Sequence, residues 1–373
     1  MLYVDLPSHA DIVGLYAVRD PVCVSLYVAT TPLTQDIDAA RTRLGQLLKQ
    51  AEAQLTAIDT PKRSVWPVSE LVNDLIDDDD FWRLQANGLA VLVTPDGLRT
   101  YRLPTHLSDM VQVADRFHLK PLLRAASMPQ HAIVLALEEN RVRVIEVTGD
   151  LPPGVLNLPD MPKDAASAVG MASVNSRSAS GRVQGGEGQN LRLRQFARKV
   201  DAVLRPFLAG RSVPLILAAT DPLWSIFRSV NTFTHLAETG IKESPANLSE
   251  SEIAAASRPV LDALNAGILA DALALIAARE NSGRATTDLA DAARAATFGA
   301  VEVLLVDIDT VIPGTVDETT GAVTLADAES GASYGVVDEI AGRVLASGGR
   351  VIGVRAEDIP GGHPLAAALR YAV

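Results

Sequence analysis

From Ala172 to Asn190 the chain carries no Ile, Leu or Phe, and the stretch ends Gly185-Gly-Glu-Gly-Gln-Asn190. Such a segment buries nothing that would repay the entropy of ordering its backbone. Any core must therefore be built on either side of it. The segment closes an irregular region of about 40 residues, rich first in Pro, then Ser, then Gly. Loops of that length inside compact folds are functional or disordered, so residues 165–189 are expected to be poorly ordered without a partner.

The 373 residues suggest two or three domains. With 48% apolar residues the chain is no disordered polymer, and with 4% aromatics its core must be Ala, Val and Leu. Apolar runs such as 88–93 fall short of the roughly 18 residues of a membrane span, so no membrane association is expected. Asp5 and Asp11 precede the first basic residue, Arg19, which is wrong for a secretory signal. One cysteine, Cys23, excludes a disulfide framework and a multi-cysteine zinc site. These features predict a soluble, cytoplasmic protein.

Hydrophobic periodicity divides the chain into three small α/β domains, 1–126, 127–280 and 281–373. In the first, 22–28 reads as a strand, 36–58 as a helix with Leu44, Leu47, Leu48, Ala51, Leu55 and Ile58 on one face, and 88–103 as a β-hairpin turning at Pro95-Asp-Gly97. Asp77–Asp80 reads as a solvated helix end. The second holds a hairpin, 131–137 and 142–147, then the Gly-rich loop (about 165–190). An amphipathic helix follows, with Leu193, Phe196, Ala197, Val200, Leu204, Phe207 and Leu208 on one face. A buried strand at 213–218 and an Ala/Leu-rich helix over 250–280, capped by Ser249 or Ser251, complete it. The third has helices at 287–296 and 336–346, strands at 299–306 and 351–355, and a closing segment 365–371.

Net charge is −12, whereas proteins that coat nucleic acid non-specifically are usually basic. RNA contact must be local. Residues 191–213 hold six basic residues (Arg192, Arg194, Arg198, Lys199, Arg205, Arg211) against one Asp, while the last 93 hold six Arg against thirteen Asp and Glu. That polarity points to an anionic partner near residue 190 and a protein partner at the C-terminal end. HExxH, P-loop and GxSxG motifs are absent, and six scattered His show no ligand spacing. The run Val303-Leu-Leu-Val-Asp-Ile-Asp-Thr-Val311 matches the strand-then-DxDx[TV] pattern of aspartyl-nucleophile phosphatases, with Asp307 as nucleophile. An ordinary acidic strand end is its plainer reading.

Taken in order, "VSLYVATTP", "FWRLQANGLAVLV", "ADRFHLKPLL", "HAIVLALEENRVRVIEV", the Gly-rich loop running into "RQFARKVDAVL", "GRATTDLADAARAATFGAVEVLLV" and "IPGGHPLAAALRY" resemble a known family over essentially the whole chain. It is the bacterial archaeo-eukaryotic release-factor group, of the family-three type, relatives of class-one peptide release factors and Pelota. The resemblance implies a first domain entering the ribosomal decoding region, and a ribonuclease-H-like second domain presenting a GGQ loop to the peptidyl-transferase centre. It also implies a third domain similar to kink-turn-binding ribosomal proteins, contacting a translational GTPase or the stalk base.

In that motif two glycines let the backbone approach the tRNA 3′ end and the glutamine places the hydrolytic water. Gly186, Gly188 and Gln189 would take those places. Gly185, Arg192, Arg194, Arg198 and Lys199 would join them in contacting rRNA and tRNA. The sequence departs from the motif at Glu187, which interrupts the glycines. Its charge opposes an RNA partner, although a carboxylate there could act as a general base. Residues 62–66, Lys-Arg-Ser-Val-Trp, stand where the family's Asn-Ile-Lys-Ser stop-codon element would be and do not resemble it. The first reading is therefore a ribosome-binding factor occupying the A site in stress, hibernation or rescue, without stop-codon decoding. The alternative is a peptidyl-tRNA hydrolase acting through Gln189 and Glu187, and a remote one is the phosphatase at Asp307. No cofactor, metal or DNA partner is expected.

Overall fold

The nearly unbroken apolar run at 22–28 becomes a strand buried on both faces, and this explains how the ends of the chain come together. The computed structural model describes residues 4–33, 36–127, 131–149, 151–168, 186–211, 213–327 and 333–372. The chain forms two compact units, one from Met1–Met128 with Gly267–Val373 and the other Pro129–Ala266.

The first stretch contains α1 (His9–Tyr16), β1 (Cys23–Ala29), α2 (Ile37–Ala57), α3 (Lys62–Asp77), α4 (Asp79–Trp82), β2 (Gly88–Thr94), β3 (Gly97–Leu103), β4 (Met110–Ala114) and α5 (Lys120–Ser127). Its sheet runs β3-β2-β1-β4, antiparallel throughout. Side chains alternate across a strand, and both faces are used here. Val24, Leu26 and Val28 pack with Leu89, Val91 and Val93 under α2 and α3. Cys23 and Tyr27, with Ala90 and Leu92, face a second core shared with the C-terminal stretch. Asp77 ends α3, Asp78 caps α4, and Asp79 and Asp80 pair with Arg41 and Arg83. The aspartate run is thus a helix end, as its sequence suggests.

The second unit contains β5 (His131–Glu138), β6 (Arg141–Thr148), β7 (Gly154–Leu156), α6 (Ala165–Ala168), α7 (Gly186–Leu208), β8 (Leu215–Ala218), α8 (Leu223–Val230) and the start of α9 (Glu250–Glu280). Its sheet runs β7-β6-β5-β8, with β5 and β8 parallel. One face, with Ile133, Leu135 and Val144, packs on α7 and α8, and the other, with Val134 and Ile145, packs on Ile253, Val260 and Leu261 of α9. Ser249 and Glu252 form a reciprocal cap at the start of α9. By length and composition α9 could cross a membrane, with a mean hydropathy of 1.8 over an 18-residue window that is 22% buried. The expectation that no segment resembles a span needs correction. Isolated charges at Arg258, Asp262 and Asp271 break the apolar runs without lowering the helix average.

The C-terminal stretch adds β9 (Ala285–Thr286), α10 (Leu289–Thr297), β10 (Val301–Asp307), β11 (Pro313–Val316), β12 (Val323–Leu325), β13 (Tyr334–Gly335), α11 (Val336–Ala346), β14 (Arg350–Val354) and β15 (Leu365–Leu369). The sheets run β14-β10-β15-β9 and β12-β11-β13. The architecture is mixed α/β with several sheets.

Within the first unit, α11 brings Asp338 and Glu339 to buried positions against the N-terminal stretch. Both Asp338 oxygens accept the Leu119 N–H at 3.0 Å, and the Tyr16 hydroxyl donates to Oδ1 at 3.1 Å. Arg116 pairs with Glu339 at 2.6 Å and lies 3.8 Å over the Tyr334 ring. Lys120, fully buried, donates its Nζ to the Asp307 carbonyl at 2.9 Å and to the Thr310 carbonyl. A Cβ at position 342 would come within 2.5 Å of the Tyr16 ring, so only glycine lets α11 approach this closely.

Burial pushes the Asp338 carboxyl up to about 7, against the Leu119 N–H and Lys120, which favour the carboxylate. Burial, then Lys120, pushes His118 down to about 3. The two work in opposite directions. Folded Asp338 holds a proton between about pH 4 and 7 that the unfolded chain releases, so its contribution is complete at low pH and lost as pH rises through 7. Folded His118 stays neutral where the unfolded imidazole protonates, so its contribution is present above 6.5 and lost as pH falls toward 3. Urea unfolding across pH should show that Asp338→Asn steepens the acid-side loss of stability. His118→Phe should instead leave stability rising as pH falls from 7 toward 4. Each slope is bounded by about 1.4 kcal/mol per pH unit. Superimposable profiles for the two variants would contradict the assignment.

Candidate functional site

The seven-residue rhythm of α7 decides which of its side chains can meet a partner. Leu193, Phe196, Ala197, Val200, Leu204 and Leu208 are buried beneath the β5–β6 face. Arg194, Arg198 and Lys199 lie off this stripe and are exposed. Arg192 is half-buried at the edge of the apolar stripe. Lys199 also borders an open cleft of about 620 Å³ whose other walls include Asp160, Met161, Lys163 and Ser167. Arg205, in the last turn, is engaged by Asp201 at 3.0 Å. Three of the basic residues of α7, Arg194, Arg198 and Lys199, are thus clustered in its middle turns.

The Gly-rich element differs from its expected form. Gly186, Glu187, Gly188 and Gln189 are not loop but the first turn of α7, and 165–168 form the short α6. The reason is phase. Gln189 stands four residues before Leu193 and seven before Phe196, so the helix extends backward over the stretch at a cost of about 1 kcal/mol per glycine relative to alanine. Gly185 and the rest of the expected loop, 169–185, lie outside the described residues.

Gln189 is half-buried, and its Nε2 donates to Glu139 Oε1 at 3.2 Å. Glu139 sits in the β5–β6 turn, and its carbonyl accepts the Ala165 N–H at 2.7 Å. One residue thus ties the hairpin to the starts of both α6 and α7. In the sequence, Glu139 falls between the two strands of the hairpin and reads only as part of its turn. An acidic residue at a hairpin tip gives no signal of a distant glutamine partner.

The Asp307 carboxylate is buried and spent on the Asp309 and Thr310 N–H groups at 3.1 Å each. It is a turn cap with no open face for attack on phosphorus, so the aspartyl-nucleophile reading is set aside. Among the described residues no three His, Cys, Asp or Glu side chains converge as a metal site.

Residues 129–267 match the family model of bacterial archaeo-eukaryotic release factor family 11. The expected subgroup was family three. No curated protein matches the chain. Among solved structures, an archaeal translation termination factor aRF1 is 16% identical over 98% of this chain and 99% of its own, with a TM-score of 0.25. Pelota, from a model of ribosome-bound archaeal Pelota and ABCE1, is 14% identical over 99% and 96%, with a TM-score of 0.40. S. cerevisiae Dom34 is 12% identical over 77% and 80%, with a TM-score of 0.42.

Phe196 is fully buried and anchors α7 to its sheet. Phe196→Ala should cost about 3–5 kcal/mol, read as a lowered urea midpoint. Arg198→Ala on the exposed face should leave the midpoint within about 0.5 kcal/mol of wild type. Equal effects would mean that the two faces are misassigned.

Proposed function

We propose, from the premise that this chain is a release-factor-like protein of the bacterial archaeo-eukaryotic group, that it is a cytoplasmic translation factor binding the ribosomal A site in stress, hibernation or rescue. What supports this reading is the cationic face of α7, three exposed basic side chains on a helix whose opposite side is fixed in the core. Phosphate contacts of this kind position a protein on RNA without reading its sequence. The division into 1–126, 127–280 and 281–373 belongs to the proposal, as does the absence of stop-codon decoding. So does a translational GTPase meeting the acidic C-terminal stretch, by charge complementarity.

Reversing Arg194 and Arg198 to Glu should weaken ribosome co-sedimentation by tenfold or more and flatten its salt dependence. Unchanged pelleting across a salt series would remove the reading.

Hydrolysis is the second reading, favoured by one observation. The Gln189 amide lies 3.2 Å from the Glu139 carboxylate, a pairing able to hold a water and take its proton. Against it, one amide donor is already used, and about 1 Å of misplacement costs on the order of a hundredfold in rate. The expected outcome is little or no release of labelled peptide from stalled ribosome complexes. Rapid release abolished by Gln189→Ala would transfer the function to the hydrolase.

A further inference from the structure

The C-terminal end of α7 borders a second cleft, of about 430 Å³, formed with residues 231–235. Its volume falls in the range of small-molecule sites. Leu204 and Leu208 contribute apolar lining, and Arg205, Arg211, Thr232, Phe233, Thr234 and His235 contribute the rest of the chemistry.

Each cation-capable group is held by a neighbour of its own. The buried Asp201 accepts the Thr232 N–H at 2.9 Å and Arg205 at 3.0 Å, and Arg205 Nε donates to the Thr232 hydroxyl at 3.2 Å. Both Asp201 oxygens are thereby occupied, and the Arg205 fork retains donors beyond these two bonds. The Arg211 guanidinium lies 4.4 Å over the Phe207 ring. His235 meets Phe233 edge to face at 5.4 Å, and its carbonyl accepts the Leu215 N–H of β8 at 2.9 Å. The loop between is braced by Asn231, whose Nδ2 donates to the Phe233 carbonyl at 2.8 Å. Two arginines and a histidine set around one cleft, with hydroxyls and an aromatic ring between them, suit a phosphate attached to a planar base.

We propose that this cleft binds a phosphorylated nucleotide, either free or within an RNA strand. The helix dipole gives Arg205 a plain structural reason to stand in the last turn of α7. Arg211 lies three residues beyond the helix end, outside that explanation. The inference does not rest on the ribosome reading, because Arg194 and Arg198 carry that one.

The test is calorimetric titration of the full chain with pyrophosphate, AMP, adenosine and a single-stranded RNA of about eight nucleotides. AMP or RNA should bind and adenosine should not. Arg211→Ala and Arg205→Lys should each weaken binding about tenfold or more while leaving the thermal midpoint close to wild type. Binding of AMP without RNA identifies a free nucleotide as the ligand, and binding of RNA without AMP identifies a strand. Absence of binding by any phosphorylated probe overturns the proposal, as does binding that neither substitution weakens. Loss of ribosome co-sedimentation in Arg194→Glu/Arg198→Glu with nucleotide binding intact would separate the two sites.

Discussion

Asp338 and Glu339, adjacent in the first turn of α11, join the end of the chain to its beginning. Their position is favourable in itself, since a helix N-terminus stabilises negative charge. Each is then matched from the N-terminal stretch, Asp338 by the Leu119 N–H and the Tyr16 hydroxyl, Glu339 by Arg116. Burial makes such contacts asymmetric in effect. The contacts offset part of the desolvation, and removing one partner strands the other at a cost of about 3–5 kcal/mol. The second core of the β1 sheet exists only because this junction brings α10, α11 and β10 against Cys23, Tyr27 and Leu92.

This arrangement separates the two units by the way they are encoded. The central unit is one continuous stretch whose sheet pairs residues mostly close in sequence. The first unit depends on contacts such as Leu119 with Asp338, which are 219 residues apart. Closing so long a loop is entropically slow. The central unit completes its core from residues within its own continuous stretch, whereas the β1 sheet is covered on one face only after residue 339 has been made.

The legible parts of the fold were those where period and burial coincide. The α2 stripe, both hairpins, α7, α9 and the strand at 301–307 follow directly from apolar spacing. The junction was not legible, because Lys120, Arg116, Asp338 and Glu339 have the composition of a surface. Nothing local distinguishes a buried charge from a solvated one before its partner is known. The short strands β11–β13 lacked a pattern long enough to read. At the site, the outward arginines of α7 were legible because the buried face fixes the opposite one. The partner of Gln189 was not, since it stands 50 residues away.

The Gly-rich signal and the helix it becomes are reconciled by energetics. Two glycines in one turn cost about 2 kcal/mol of helix propensity relative to alanine, and one net hydrogen bond to Glu139 returns about 1 kcal/mol. The start of α7 is therefore its weakest turn, whereas from Leu193 onward each turn is anchored by buried side chains. Glycines there are poor choices for a helix that only had to be a helix. With so little propensity of its own, this turn is held by its contact with the β5–β6 turn rather than by its own sequence.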